Sequence, residues 1–303
     1  MNLGALAPDD LENRLRGAGL MLRTGPFVSR IKTDLPIMVS GLSLLYADYP
    51  IEDDDVFADF YITVRAPRGL RRWYRPQAWL LYDQQTLFEP LPLSQAIPMF
   101  EWGLNWAMGT QANQYLILHA ATIERDGRVV IMPAPPGSGK STLCAGLVNR
   151  GWRLLSDEMA LITLDEGMIV PLARPISLKN KSIDVMTAFA PEAVFSERAQ
   201  ETHKGTVALM RAPSDSVARK QDAAKPAWII FPNFLPGAES RLEPRSKAAT
   251  FMEVGDNAFN YSIHGRRGFE VLADIIETCD CYDFRYSDLD HAVEVFSSLE
   301  TPA

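Results

Sequence analysis

The stretch "PAPPGSGKSTL", residues 133–143, looks like a phosphate-binding loop. It matches the phosphate-loop pattern G-x-x-x-x-G-K-[ST] at every fixed position except the first, where Ala134 replaces glycine. Gly137 and Gly139 allow consecutive backbone N–H groups to turn toward anionic oxygens, and Lys140 is placed to reach the β- and γ-phosphates. The first glycine of the pattern is less strictly required, because an alanine with a negative φ makes the same turn. We therefore predict that this stretch binds a nucleotide.

The expected ligands are ATP and Mg²⁺. The Ser141 hydroxyl is expected to hold Mg²⁺, and the N-terminus of the following helix adds partial positive charge. The residues predicted to contact the nucleotide share the second half of the loop and the first helical turn: Pro136, Gly137, Ser138, Gly139, Lys140, Ser141 and Thr142.

The flanks of the loop have the required order of strand, loop and helix. "GRVVIM" (127–132) is a β-branched apolar run typical of a buried strand. "STLCAGLVNRG" (141–151) predicts a helix that ends with Arg150 as a cation in the last turn and Gly151 as a stop. A turn of proline, glycine and serine that binds nothing is the alternative interpretation.

A hairpin precedes the loop and brings a histidine to it. Asp126-Gly127 is the favoured two-residue turn between apolar strands, so Arg125 should pair with Arg128. Counting outward places His119 opposite Ala134, at the mouth of the loop. We predict a catalytic-site role for His119; the alternative is a histidine satisfied within the core.

Two adjacent carboxylates follow the next strand. "WRLL" (152–155) predicts a short buried strand, and Asp157 and Glu158 stand at its carboxyl end, where open α/β sheets bind ligands. One carboxylate would hold Mg²⁺ while the other accepts a proton from an attacking hydroxyl. A polar strand end without function is the alternative.

These residues resemble HPr kinase/phosphorylase and its shorter HPr-kinase-related relatives, which share the phosphoenolpyruvate-carboxykinase type of nucleotide domain. The resemblance runs from about His119 to the C-terminus and depends on His119-Ala120, "APPGSGKS" (134–141) and Asp157-Glu158. It implies a P-loop kinase domain over residues 94–303, in which Asp157 is the general base and Glu158 helps to hold the metal.

Farther along the chain the resemblance implies additional site residues. "SLKNKSIDV" (177–185) matches a family signature only at its end and lacks the arginine and glycine of that signature, so phosphorolysis is not predicted. "IHGRRGFEVLADII" (263–276) is similar to a family loop, which makes Arg266 and Arg267 candidates for charge stabilisation at the transferring phosphate. Lys204, in "ETHKGTVALM" (201–210), is a further candidate for contact with substrate or phosphate. Ordinary surface roles are the alternatives for all three cations.

The rest of the chain bounds the class of protein. With 303 residues, 47% of them hydrophobic, it can bury a full core. The strands expected at "FYITV" (60–64) and "WLLYD" (79–83) predict a smaller β-rich N-terminal unit over residues 1–93 of an α/β protein. Between them, "RAPRGLRRWYRP" (65–76) is either a partner-binding turn or a solvated one.

Charge and apolar content limit the partners. A net charge of −8 argues against general nucleic-acid binding, and no run reaches the ~18 apolar residues of a membrane helix. We therefore expect a cytoplasmic protein without a membrane partner, and the sequence leaves a homo-oligomer open. Cys144, Cys279 and Cys281 make no disulfide framework and no zinc pattern, so we expect reduced structural thiols.

Together these features predict an ATP- and Mg²⁺-dependent kinase that transfers the γ-phosphate to a hydroxyl, foremost a serine of a protein or peptide. One alternative acceptor is a small metabolite such as an amino acid or another carboxylate. The alternative from another class is a non-catalytic ATP sensor, which would need no general base at Asp157.

Overall fold

The structure is a computed structural model that describes residues 1–69, 72 and 74–300. These residues form a mixed α/β protein. Its helices are α1 Pro8–Arg16, α2 Pro36–Leu45, α3 Ala96–Gln111, α4 Lys140–Val148, α5 Lys181–Phe189, α6 Ser214–Ala218, α7 Lys247–Asp256, α8 Tyr261–Thr278 and α9 Leu289–Ser297. Its strands are β1 Leu20–Thr24, β2 Phe27–Thr33, β3 Phe60–Arg65, β4 Gln77–Tyr82, β5 Gln85–Thr86, β6 Leu91–Pro92, β7 Tyr115–Leu118, β8 Ala120–Arg125, β9 Arg128–Pro133, β10 Arg153–Ser156, β11 Ala160–Thr163, β12 Ile169–Val170, β13 Ile176–Lys179, β14 Ala199–Thr202, β15 Gly205–Met210, β16 Lys225–Phe234, β17 Arg241–Pro244 and β18 Asp280–Tyr286.

The described chain divides into two compact units that alternate along the sequence. Unit 1 contains Met1–Met108, Pro175–Asp184 and Glu192–Ala218. Unit 2 contains Gly109–Arg174, Val185–Pro191 and the chain from Arg219 onward. The division predicted between residues 93 and 94 stays a prediction.

Unit 1 contains two sheets. The larger has the order β1-β2-β3-β4-β5 with β6 also paired to β4, and the smaller has the order β13-β15-β14. The strands predicted at 60–64 and 79–83 are confirmed as β3 and β4, which pair antiparallel. The helix α3 has Pro98 in its first turn, where the missing N–H of proline costs no helical hydrogen bond. Arg71 and Trp73 of the arginine-rich turn lie outside the described residues.

Unit 2 is built on the sheet β10-β8-β9-β16-β18-β17, beside a smaller sheet β12-β11-β7. The strand β9 pairs in parallel with β16, and β16 pairs in parallel with β18. The hairpin β8-β9 forms because Asp126 and Gly127 both adopt positive φ, +52° and +76°, the backbone that a tight two-residue turn requires.

Alternate residues of this sheet face different helices. Val129 and Ile131 of β9 share a core cluster with residues of α8, including Val271 and Ile275. On the opposite face, Phe284 of β18 packs against Phe296 of α9 with ring centroids 5.3 Å apart, and α4 contacts β8, β10 and β16. The sheet is therefore covered on both faces, as its nearly continuous apolar strands require.

The helix after the loop is shorter than predicted. α4 ends at Val148; the Asn149 amide and side chain both donate to the Ala145 carbonyl, and the Arg150 amide donates to the Leu147 carbonyl, only three residues back. Arg150 therefore lies beyond the last turn, and its guanidinium stacks on the Phe189 ring at 4.0 Å. None of the helices in the described part of the chain is long and apolar enough to span a bilayer.

Candidate functional site

One edge of the large unit 2 sheet collects most of the residues singled out in the sequence. β8 is antiparallel to both β9 and β10, so β10 runs in the same direction as β9, β16 and β18. The carboxyl ends of these four strands and the start of β8 consequently share one edge. From one side to the other, this edge carries Asp157 after β10, His119 before β8, the glycine loop (residues 134–139) after β9, and Phe234 at the end of β16.

The backbone of the glycine loop depends on two glycines with different surroundings. Gly137 and Gly139 both have φ +89°, in the left-handed region that other residues rarely adopt. A Cβ on Gly137 would meet no described atom within 4 Å, whereas a Cβ on Gly139 would overlap the Tyr286 hydroxyl and lie 2.8 Å from Phe234 Cβ. Gly139 is therefore required by close packing as well as by φ.

Two neighbouring strands hold the loop in place. The Phe234 amide donates to the Ser138 carbonyl at 2.8 Å, and the Tyr286 hydroxyl donates to the Gly139 carbonyl at 2.9 Å. Burial raises the pKa of Tyr286, so its hydroxyl keeps the proton that it donates. Ala134 is buried and its φ lies outside the left-handed region, as expected for an alanine that replaces the first glycine.

α4 begins directly after Gly139 and points its N-terminus at this edge. Lys140 is the first helical residue and is only 8% exposed, while Ser141 and Thr142 are half-buried. The first N–H groups of a helix have no intrahelical acceptor, so the first turn offers donors together with partial positive charge.

Lys140 and Asp157 come close to the same buried thiol. Burial raises the pKa of Cys144 well above its usual value, the Asp157 carboxylate raises it further, and the Lys140 ammonium lowers it. Lys140 and Cys144 are four residues apart and therefore share one face of α4. The predicted phosphate-binding cation and the predicted base thus lie in one electrostatic environment beneath the loop.

Asp157 and Glu158 are presented by an irregular end of β10. The pairing of β10 with β8 shifts register between Leu154 and Ser156, a bulge that turns the strand end away from the ladder. The Met159 amide donates a hydrogen bond of 3.0 Å to the Ser156 hydroxyl, and this bond closes the bend that contains both carboxylates. Asp157 is 5% exposed and Glu158 is half-buried, so the two acids occupy different environments.

His119 lies where the hairpin register predicted. Arg125 pairs with Arg128 and Ala120 pairs with Pro133, so His119 is the next residue beyond the paired region. Its amide donates to the Asn257 carbonyl at 2.8 Å, and its half-buried ring lies 5.7 Å from the ring of Phe259. The catalytic role of His119 stays a prediction.

The role of Arg266 and Arg267 at the transferring phosphate stays a prediction. Both belong to α8, where each pairs with Glu270, and the Arg266 side chain is 91% exposed. Arg267 lines a surface cavity of about 400 Å³ together with Tyr115, at the start of β7. Tyr115 precedes His119 by four residues, roughly 13 Å of extended strand. The segment 263–276, expected to resemble a loop, is helical apart from a non-helical Gly265 with φ +51°.

Lys204 lies in unit 1, in the turn between β14 and β15. Its amide donates to the Thr202 hydroxyl at 3.0 Å, and its ammonium lies 5.4 Å from the centre of the Trp102 ring. A cation–π contact of this kind gives Lys204 a structural role in unit 1, and its contact with substrate stays a prediction.

Metal-binding side chains do not cluster in the described ranges. Within them, no group of three or more His, Cys, Asp or Glu residues is arranged to hold a metal ion. All three cysteines are free and buried, as expected for structural thiols.

Two aromatic residues at the loop, Phe234 and Tyr286, were not predicted from the sequence. They follow the loop by about 100 and 150 residues and reach it only because β16 and β18 pair in parallel with Phe234 opposite Tyr286. The apolar run "AWIIF" (227–231) indicates a buried strand and could have predicted β16 from the sequence. No nearby residue, however, indicates that this strand pairs with β9.

Comparison with known proteins gives one family match. Residues 95–229 match the family model of the SynChlorMet cassette protein ScmC, a segment that includes the glycine loop and both carboxylates. No curated protein matches the chain. The resemblance to HPr kinase/phosphorylase is wrong, because the matching family is not known as an HPr kinase. The similarity depended on three short motifs, His119-Ala120, residues 134–141 and Asp157-Glu158, and one segment that extended it, 263–276, is helical apart from Gly265.

Proposed function

We propose that this protein binds ATP with Mg²⁺ at the glycine loop and transfers the γ-phosphate to a hydroxyl group. The observation that carries the proposal is the arrangement at the loop: two left-handed glycines, a buried Lys140 at the start of α4, and a buried Asp157 that shares the environment of Lys140. The proposal finds no support in the HPr kinase family and rests on these residues alone.

The loop and the first turn of α4 are suited to a phosphate chain. Left-handed glycines turn successive N–H groups inward, and the helix N-terminus favours negative charge. The Ser138 hydroxyl oxygen is buried and makes no hydrogen bond with another described residue. It can therefore form a hydrogen bond with a bound phosphate. Lys140 supplies the positive charge for the β- and γ-phosphates.

Mg²⁺ would be held by the triphosphate together with Ser141 and Glu158. Mg²⁺ retains several waters and is commonly bound by one or two protein groups plus substrate phosphates, which fits a site without a metal cluster of its own. Bound in this way, the ion supplies charge neutralisation at the transferring phosphate.

Asp157 is proposed to accept the proton of the attacking hydroxyl. Asp157 is 5% exposed and acts on the same buried thiol as Lys140, so the proposed base lies close to the proposed phosphate-binding cation. His119 lies between Asp157 and the loop along the sheet edge and is proposed to orient the acceptor or the γ-phosphate. The acceptor classes to be tested first are serine-containing peptides or proteins and small hydroxylated metabolites.

The test is an acceptor screen with γ-labelled ATP and Mg²⁺. Label is separated into protein-bound and small-molecule fractions for the wild type, for Asp157→Asn and for the control Asp290→Asn, which makes the same change at an exposed aspartate of α9. We expect transfer by the wild type and by Asp290→Asn, and a loss of roughly 10²-fold or more in Asp157→Asn, the scale of a lost general base.

Two results would contradict the proposal. ATP binding without transfer to any acceptor would indicate a nucleotide sensor. Equal transfer by Asp157→Asn and the wild type, at saturating ATP, would show that Asp157 is not the base.

A further inference from the structure

We infer that Phe234 is the platform on which the base of the bound nucleotide stacks, an inference that rests on the proposed function. Phe234 is the last residue of β16 and lies at the ligand-binding edge of the sheet. It is 44% exposed, although the residues of β16 from Pro226 to Pro232 are buried. An aromatic ring open to solvent beside a phosphate-type loop has a surface that a planar base can cover.

The ring of Phe234 is held in place before any ligand arrives. Its backbone amide donates to the Ser138 carbonyl, and its Cβ lies close to the Cα of Gly139. The ring packs edge-on against Tyr286, with centroids 5.6 Å apart and an interplanar angle of 70°. Tyr286 is fixed in turn by its stacked contact with Phe284 and its hydrogen bond to Gly139. A preorganised ring loses little conformational freedom on binding.

The order of the strands gives the direction of the nucleotide. Asp157 follows β10, on one side of β9, and Phe234 ends β16, on the other side. The two ends are three strand spacings apart, about 14 Å. A triphosphate whose γ-phosphate faces Asp157 must extend its sugar and base toward β16, across the Gly139 end of the loop. Two aromatic side chains lie at that end, and Phe234 is exposed whereas Tyr286 is buried.

Stacking on Phe234 predicts the class of ligand. Every nucleobase has a π face, so a stacking platform accepts different bases while rejecting ligands that have none. The site should therefore favour nucleoside triphosphates over inorganic tripolyphosphate. It should also favour purines over pyrimidines, because their larger rings cover more of the platform.

The experiment compares two ligands on matched variants. Calorimetry measures the affinity of ATP·Mg²⁺ and of tripolyphosphate·Mg²⁺ for the wild type, Phe234→Ala and Phe234→Tyr. The control is Phe269→Ala, which removes a ring of similar exposure, 52%, from α8. We expect Phe234→Ala to weaken ATP binding by ~10–100-fold and to leave tripolyphosphate binding unchanged. Phe234→Tyr and Phe269→Ala should bind both ligands as the wild type does.

The outcomes distinguish this inference from the proposed function. Unchanged ATP affinity in Phe234→Ala would overturn the stacking role and leave the nucleotide site intact. Equal loss of ATP and tripolyphosphate in Phe234→Ala would also overturn it, since Phe234 would then support the loop rather than the base. A wild type that binds neither ligand would contradict the proposed function itself.

Discussion

Gly137 and Gly139 have the same φ but different neighbours. Replacing each by alanine therefore separates the cost of a left-handed backbone from the cost of packing an added Cβ. In Gly137→Ala the added Cβ meets no described atom, so the cost is that of left-handed backbone, ~1–2 kcal/mol. In Gly139→Ala the Cβ also overlaps the Tyr286 hydroxyl and approaches Phe234, which adds an overpacking cost of ~1–3 kcal/mol. We therefore expect Gly139→Ala to lower the free energy of unfolding by ~2–5 kcal/mol and Gly137→Ala by ~1–2 kcal/mol.

The assay is urea unfolding of both variants, of Tyr286→Phe and of the double variant Gly139→Ala/Tyr286→Phe. Removing the hydroxyl deletes the nearest clash, but Phe234 Cβ stays 2.8 Å and the Cζ of residue 286 stays 3.2 Å from the added Cβ, so we expect partial recovery. The double variant should be more stable than the sum of the single changes predicts, by ~0.5 kcal/mol or more. Equal destabilisation by Gly137→Ala and Gly139→Ala, or strict additivity in the double variant, would refute the packing described here.

Other predictions concern the rest of the site and the core. Ala134→Gly should change ATP affinity by less than ~1 kcal/mol, since the residue does not need a positive φ, and calorimetry against the wild type checks this. Glu158→Gln should weaken Mg²⁺-dependent ATP binding, whereas Asp157→Asn should keep the ATP affinity within a few-fold of the wild type. The control is Glu166→Gln, a change at an exposed acid of unit 2, which should alter neither ATP binding nor phosphate transfer. Burial raises the pKa of the Cys279 thiol to about 12. Above the usual thiol pKa of about 8.5, the unfolded chain therefore releases a proton that the native state keeps. The free energy of unfolding consequently falls by up to ~1.4 kcal/mol per pH unit until about pH 12. Between pH 8 and pH 10, the urea midpoint should therefore fall more in the wild type than in Cys279→Ala. An equal fall in both proteins would contradict the raised pKa of Cys279.

Local sequence was sufficient for the core of the site. Asp126-Gly127 specifies a tight turn through its own backbone preferences, so the register that brings His119 beside Ala134 could be counted from the sequence. The order of strand, loop and helix around Lys140 was likewise encoded by residues within a few positions of one another.

Contacts between distant segments could not be predicted in this way. Phe234 and Tyr286 reach the glycine loop through parallel pairing of strands that are far apart in sequence, and no nearby residue specifies that pairing. The end of α4 was misplaced: the Arg150 amide donates three residues back, to the Leu147 carbonyl, so the chain leaves the α-helix before Arg150. Arg266 and Arg267 were assigned to the site by resemblance to a family loop, and the structure places them in the helix α8.

The most direct test of the nucleotide site is the affinity of ATP·Mg²⁺ measured by calorimetry for the wild type, Lys140→Ala, Ser141→Ala and Lys225→Ala. Lys225 is an exposed lysine at the start of β16, at the opposite edge of the same sheet, and serves as the matched control. We predict that the wild type and Lys225→Ala bind with equal affinity and that Lys140→Ala and Ser141→Ala lose binding. Unchanged affinity in Lys140→Ala and Ser141→Ala, or no binding by the wild type, would contradict the assignment of the glycine loop as a phosphate site.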